Sequence, residues 1–231
     1  MYRTISRRTL FLISLTLFSM NLGISQQDQP LPFKERRAMA EEHIKNLKNG
    51  VLVVRLPSQQ NKIETLQTLI DGGNLDKKTE AKLQGRLDGT KAKTASFNKS
   101  IITAFQEQYN FSDFLFMMDT AATQLKEGVR QGIFLDKNLE LDQEAAIVDS
   151  SVYVLRFGST YSGRGQNIEA AVITDSNLED LLPPFPYYVR INNFDAIMGG
   201  LFPKPKQELK NAMRLVEKLQ RNLVEFARQV E

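Results

Sequence analysis

Val51-Leu52-Val53-Val54-Arg55-Leu56 is an apolar run broken by one arginine, entered from a polar segment through Asn49-Gly50 and closed by Pro57. Six residues are too few for a helix, and the valine content and flanking glycine and proline read as a buried strand. A strand apolar on both faces needs cover above and below, which is the habit of parallel sheets. The apolar segments around it read as its neighbours or its cover.

Upstream, residues 33–48 carry Ala40, Ile44 and Leu47 at i, i+4 and i+7, the spacing of one helical face. Downstream, Asn61-Lys62-Ile63-Glu64 fits a capping box opening a second helix, with Ile63, Leu66 and Ile70 inward and Gly72-Gly73 as its stop. Residues 76–99 are charge-rich and read as a solvated helical hairpin. The competing reading is a basic face for an acidic partner such as lipid A phosphates or a polysaccharide. Phe97, Ile101 and Phe105 then bring a helix back to the core. Residues 111–118 (FSDFLFMM) read as a second strand, so a helical crossover joins two buried strands in a parallel β-α-β unit. Asp119-Thr120 caps a short helix that stops at Gly128. Further strands are expected at 132–136, within 145–157, at 168–175 and at 187–191.

Pro205 opens the last helix. Leu209, Val216, Leu223 and Val230 recur every seven residues, with Ala212, Leu219 and Phe226 three after each of the first three. The stripe covers the chain's own sheet in one reading and pairs with a second copy in the other. The expected architecture is one α/β domain over residues 33–231, with a mixed sheet of about five or six strands covered by helices and a long C-terminal amphipathic helix at 205–231. The closing strand-hairpin-helix order also fits a thioredoxin-like core without redox cysteines.

Composition excludes more than it identifies. The chain has no cysteine, hence no thiol nucleophile, disulfide or thiolate metal site. His43 is its one histidine, and without a partner it reads as a packing residue rather than a ligand or base. The pI of about 9.0 invites a nucleic-acid reading. It dissolves once Arg3, Arg7 and Arg8 are set aside, because 30 − 3 = 27 basic side chains then face 27 acidic ones.

Those three arginines precede the apolar residues 10–22 and the small residues Gly23-Ile24-Ser25, the three parts of a secretory signal peptide over residues 1–25. An uncleaved membrane anchor is the alternative, disfavoured by the short and polar-broken apolar run. Ser6-Arg7-Arg8-Thr9-Leu10-Phe11 also resembles a twin-arginine signal, although the strong apolar middle fits the general route better. Residues 26–32 read as a polar leader. The expected address is the periplasm, with secretion as the alternative.

Three aspartates, Asp119, Asp136 and Asp175, each follow an apolar run. Strand-end carboxylates can hold Mg²⁺ or serve as bases, and this is the best enzymatic candidate, but aspartate is also common where strands turn. The glycine-rich residues 158–167 could cradle an anion with Arg164, yet lack the lysine and following helix of a phosphate loop. Residues 194–202 crowd Phe194, Ile197, Met198, Leu201 and Phe202 around Gly199-Gly200, either folded over the sheet or offered to a partner.

The segments GVLVVRL, FSDFLFMMD, IFLDKNLELD, AAVITDSNLEDL and Pro184-Phe185-Pro186-Tyr187-Tyr188-Val189-Arg190 in this order resemble a family of uncharacterised exported proteins of Gram-negative bacteria, over roughly residues 36–225. The resemblance implies export and brings no activity, cofactor or functional residue. Pro183, Pro184 and Pro186 confine the backbone there and admit a cis bond. The functional expectation is a non-catalytic periplasmic interaction or accessory protein, with no cofactor, metal or catalytic residue assigned. Its partner would be another protein, or a second copy met through the last helix, with no nucleic acid and no membrane beyond the signal segment. The alternative is a metal-dependent hydrolase using the strand-end aspartates.

Overall fold

In a computed structural model of the chain, residues 31–160, 168–191 and 205–231 are described. The expected signal segment and most of the leader lie outside them, as do most of the glycine-rich loop and all of the apolar loop. Lys34–Glu231 forms one compact unit, which holds the sheet and, apart from Phe33 at the start of the first helix, the helices around it. In chain order the elements are α1 (Phe33–Lys48), β1 (Val51–Leu56), α2 (Gln60–Asp71), α3 (Lys77–Gln108), β2 (Asp113–Met118), α4 (Ala122–Lys126), β3 (Phe134–Leu135), β4 (Val152–Ser159), β5 (Glu169–Thr174), β6 (Tyr188–Arg190) and α5 (Pro205–Val230). The protein is α/β, and among the described residues five α-helices surround a six-stranded mixed sheet of order β3-β2-β1-β4-β5-β6.

β1 sits inside the sheet, parallel to β2 on one side and to β4 on the other. β3, β5 and β6 pair antiparallel with their neighbours. Alternation along β1 sorts its side chains between two cores. Leu52, Val54 and Leu56 face the larger core, shared with Ile44 and Leu47 of α1, Phe97, Ile101 and Phe105 of α3, and Val216, Leu219 and Leu223 of α5. Val51 and Val53 face the smaller one, built from Met117, Ala122, Leu125, Ile133, Phe134, Ile147, Val152 and Val154. The three long helices therefore lie on one face, and α4 with the β3–β4 connection covers the other.

Gly50 lets β1 and the chain entering β4 come together. A Cβ there would stand 2.4 Å from the Ser151 carbonyl oxygen and 2.6 Å from that of Asn46. With hydrogen in its place, the Val51 amide donates to Ser151 O at 2.9 Å and the parallel pairing begins.

Three details differ from the sequence reading. The charged residues 76–99 are no hairpin, because α3 runs unbroken for 32 residues through Gly85 and Gly89. Asp76 caps it by accepting the amides of Lys78 and Thr79, and the hairpin is the one α3 makes with α2. The capping box at Asn61 does not form. The helix opens two residues earlier, with Gln59 as a left-handed N-cap at φ 57° and the Gln60 amide donating to the Ser58 hydroxyl instead. β3 is only two residues long, since at Asp136 the side chain accepts the amides of Asn138 and Glu140 and turns the chain. The heptad stripe follows the first of its two readings: Val216, Leu219 and Leu223 are buried in the larger core against α3 and the sheet.

The Pro183–Pro184 peptide is cis. Among the described residues no helix is long and apolar enough to cross a membrane.

Candidate functional site

Parallel strands end together, and in open α/β sheets ligands bind beyond those carboxyl ends. Here β1, β2 and β4 end on one edge, where α2 begins. A cavity of about 440 Å³ lies at that place, lined by Arg55, Ser58, Gln59, Gln60, Asn61, Lys62, Asp119 and Thr120. A second, of about 300 Å³, shares Arg55 and Asp119 with it and adds Pro57, Arg156, Phe157 and Leu178.

The charged floor comes from a pattern written twice. Val51, Val53 and Arg55 of β1 match Val152, Val154 and Arg156 of β4, each spaced by two. The pairing of Val51 with Val152 through Val54 with Leu155 carries the two arginines into adjacent positions, on the face of the smaller core. Adjacent strands lie about 4.8 Å apart, so the two cations would repel unless compensated. Arg156 is compensated. Its Nη2 meets Asp180 Oδ1 at 2.7 Å and its Nη1 donates to the Ser159 carbonyl at 3.0 Å. Arg55 is half-buried and, among the described residues, enters no hydrogen bond or ion pair.

The rim is held by local bonds. The Ser58 amide donates to Asp119 Oδ1 at 3.1 Å, tying the exit of β1 to that of β2. Asn98 of α3, buried to 2% exposure, donates from Nδ2 to the Pro57 carbonyl at 3.0 Å. Between these anchors Gln59 holds a left-handed backbone, a conformation that costs a residue with a Cβ about 1–3 kcal/mol.

The three strand-end aspartates are not brought together. Asp119 lies past the end of β2 and lines the cleft. β3 and β5 run the other way, so Asp136 and Asp175 stand back toward the edge where β1 begins. Four pairing levels separate Asp119 from Asp136, roughly 13 Å at about 3.3 Å per residue, from the register of β2 with β3. Both displaced aspartates are turn residues of one repeated motif, Asp136-Lys137-Asn138-Leu139-Glu140 and Asp175-Ser176-Asn177-Leu178-Glu179. In each, Oδ1 accepts the amides two and four residues on, and the leucine has positive φ. The Glu140 amide foremost, and that of Asn138 with its side chain, hold the Asp136 carboxyl below its usual range. Among the described residues no group of three or more histidine or acidic side chains is placed to hold a metal ion.

His43 packs as its sequence context implied. Its Nδ1 lies 3.0 Å from the Tyr153 hydroxyl, and its ring stands edge-on to Tyr153 and Phe185. Burial pushes the Tyr153 phenol up to about 12. Tyr187 and Tyr188 have ring centroids 5.0 Å apart beside the short strand β6. Arg164 lies outside the described residues.

The sequence alone does not single out Arg55, Arg156 or Asp180. The doubled Val-x-Val-x-Arg spacing is the available signal, and it acquires meaning only once β1 and β4 are known to be neighbours.

Comparison with protein-family models, curated proteins and solved structures finds no match, so the thioredoxin-like expectation rests on element order alone.

Proposed function

We propose that this is an exported, non-catalytic accessory protein that works by binding, and that its binding site is the polar cleft at the carboxyl ends of β1 and β2. One observation carries the binding role: the half-buried Arg55, without a partner among the described residues, on the floor that both cavities share. Export is supported by the charged, apolar and small-residue order of residues 1–25. A hydrolase built on Asp119, Asp136 and Asp175 has no shared cation site to work with, because two of the three are committed to turns. A protein partner or second copy would have to be met away from Val216, Leu219 and Leu223, which the larger core occupies.

The test is ligand-observed NMR on a defined mixture of small polar metabolites incubated with the full chain. Broadening of some members, with the composition of the mixture unchanged after a day, is the expected outcome. Conversion of any member would remove the non-catalytic role, and a mixture with no broadened member would remove the binding role. N-terminal sequencing from a Gram-negative host checks export separately, with a periplasmic chain beginning near residue 26 expected and a cytosolic chain retaining Met1 contradicting it.

A further inference from the structure

We infer that the cleft takes a small α-amino acid, its carboxylate held by Arg55 and its ammonium by Asp119. The inference rests on the cleft being the binding site and goes on to name the ligand.

Charge comes first. A guanidinium carries five N–H donors in a planar fork, and burying them without acceptors is costly. Arg156 beside it has Asp180 and the Ser159 carbonyl, whereas Arg55 has no partner among the described residues. Arg55 is therefore the half-buried cation left without a partner among the described residues, while Lys62, which also lines the first cavity, is exposed. A carboxylate matches the fork with two parallel hydrogen bonds.

Asp119 decides what kind of anion this is. It lines both cavities with Arg55, yet the two form no ion pair. One of its oxygens accepts the Ser58 amide, which fixes the carboxylate at the rim. A doubly charged phosphate would be repelled by it, while a ligand carrying an ammonium next to its carboxylate would meet both side chains at once. Pro57, Phe157 and Leu178 line the second cavity and offer apolar surface for a short side chain. Cavities of about 440 and 300 Å³ suit a molecule of that size.

Four probes separate the parts of this ligand: L-norvaline, valerate, pentylamine and inorganic phosphate, each titrated by NMR against the full chain. L-Norvaline should bind best, valerate more weakly, and pentylamine and phosphate weakest. Arg55→Gln should weaken L-norvaline and valerate alike, by about tenfold to a hundredfold. Arg55→Lys, which keeps the charge and loses the fork, should fall between, and it serves as the folded control if Arg55→Gln does not fold. Asp119→Asn should weaken L-norvaline and hold valerate at least as tightly as before, because a negative charge facing its carboxylate is removed. Phosphate or pentylamine binding more tightly than L-norvaline would overturn the ligand class while leaving the cleft a binding site. L-norvaline binding indifferent to both Arg55 variants would also overturn it. Silence from all four probes, with broadening still seen in the metabolite mixture, sinks this inference alone; silence in both experiments sinks the proposed function too.

Discussion

A residue without a side chain sets the distance between β1 and the entrance to β4. Alanine at Gly50 would drive its methyl into two backbone carbonyls, at 2.4 and 2.6 Å, neither able to swing away. Overpacking of this kind costs about 1–3 kcal/mol, so Gly50→Ala should lower the urea midpoint by a matching amount. A midpoint unchanged from wild type would mean that the strands do not approach as described. Asp136 gives a prediction in pH. Its carboxyl is held below the usual range by the amides it accepts. A lowered folded pKa adds stability above the unfolded value of about 4, and that stability fades as pH falls through the folded value. The stability gap between wild type and Asp136→Ala should therefore be full at pH 6 and shrink toward pH 2, as read by denaturant titration at each pH. Single residues were unevenly legible. Val51–Leu56 announced itself because burial on both faces leaves a single polar residue, Arg55, in the run. Arg55 did not, because one arginine in an apolar strand acquires a role only from the arginine beside it, and that neighbour lies about a hundred residues on.

At the level of elements, α3 was the least legible and α5 only half so. α3 hid its inward face because part of that face is polar. Thr90, Thr94, Asn98 and Ser100 are buried beside Leu87, Phe97 and Ile101, so apolar periodicity marks only its last third. The helix runs through Gly85 and Gly89 without a break. A Cβ at Gly89 would meet nothing within 4 Å, so Gly89→Ala should gain about 0.5–1 kcal/mol from helix propensity alone. A loss on thermal unfolding would show that the glycine is needed for a bend or contact. The heptads of α5 gave the right stripe and left its partner open, since an a/d pattern is the same whether a helix meets its own sheet or another chain. Leu223 is fully buried in the larger core, and Leu223→Ala should cost about 2–5 kcal/mol. Light scattering should give one mass for wild type and Leu223→Ala. A mass that halves in the variant, with stability barely altered, would return the stripe to a dimer.

Among the described residues the sheet is covered unequally, and this sets where the protein opens. One face carries α1, α3 and α5 and the larger core. The other has α4, a helix of five residues, and a β3–β4 connection that runs without regular structure over 136–151. Ile147 is the one buried residue of that connection, and its amide donates to the Arg130 carbonyl at 2.9 Å. Leu141 and Val148 are exposed, at 58% and 74%. Segments with few buried contacts and exposed backbone open at low cost, well before the molecule unfolds. Hydrogen exchange should therefore release the amides of 136–151 first, ahead of those facing the larger core in α3 and α5. Ile147→Ala should deepen the contrast, speeding exchange through residues 129–151 while Phe97–Phe105 amides hold their protection. The Arg55 floor belongs to this thinly covered face, with Leu178 of the smaller core in the wall of the second cavity. A ligand seated there should slow exchange at the carboxyl ends of β1 and β2 and leave the helical face unchanged. Equal slowing on both faces would mean that the two cores open as one unit, and the division of the sheet into a firm side and a yielding side would fail.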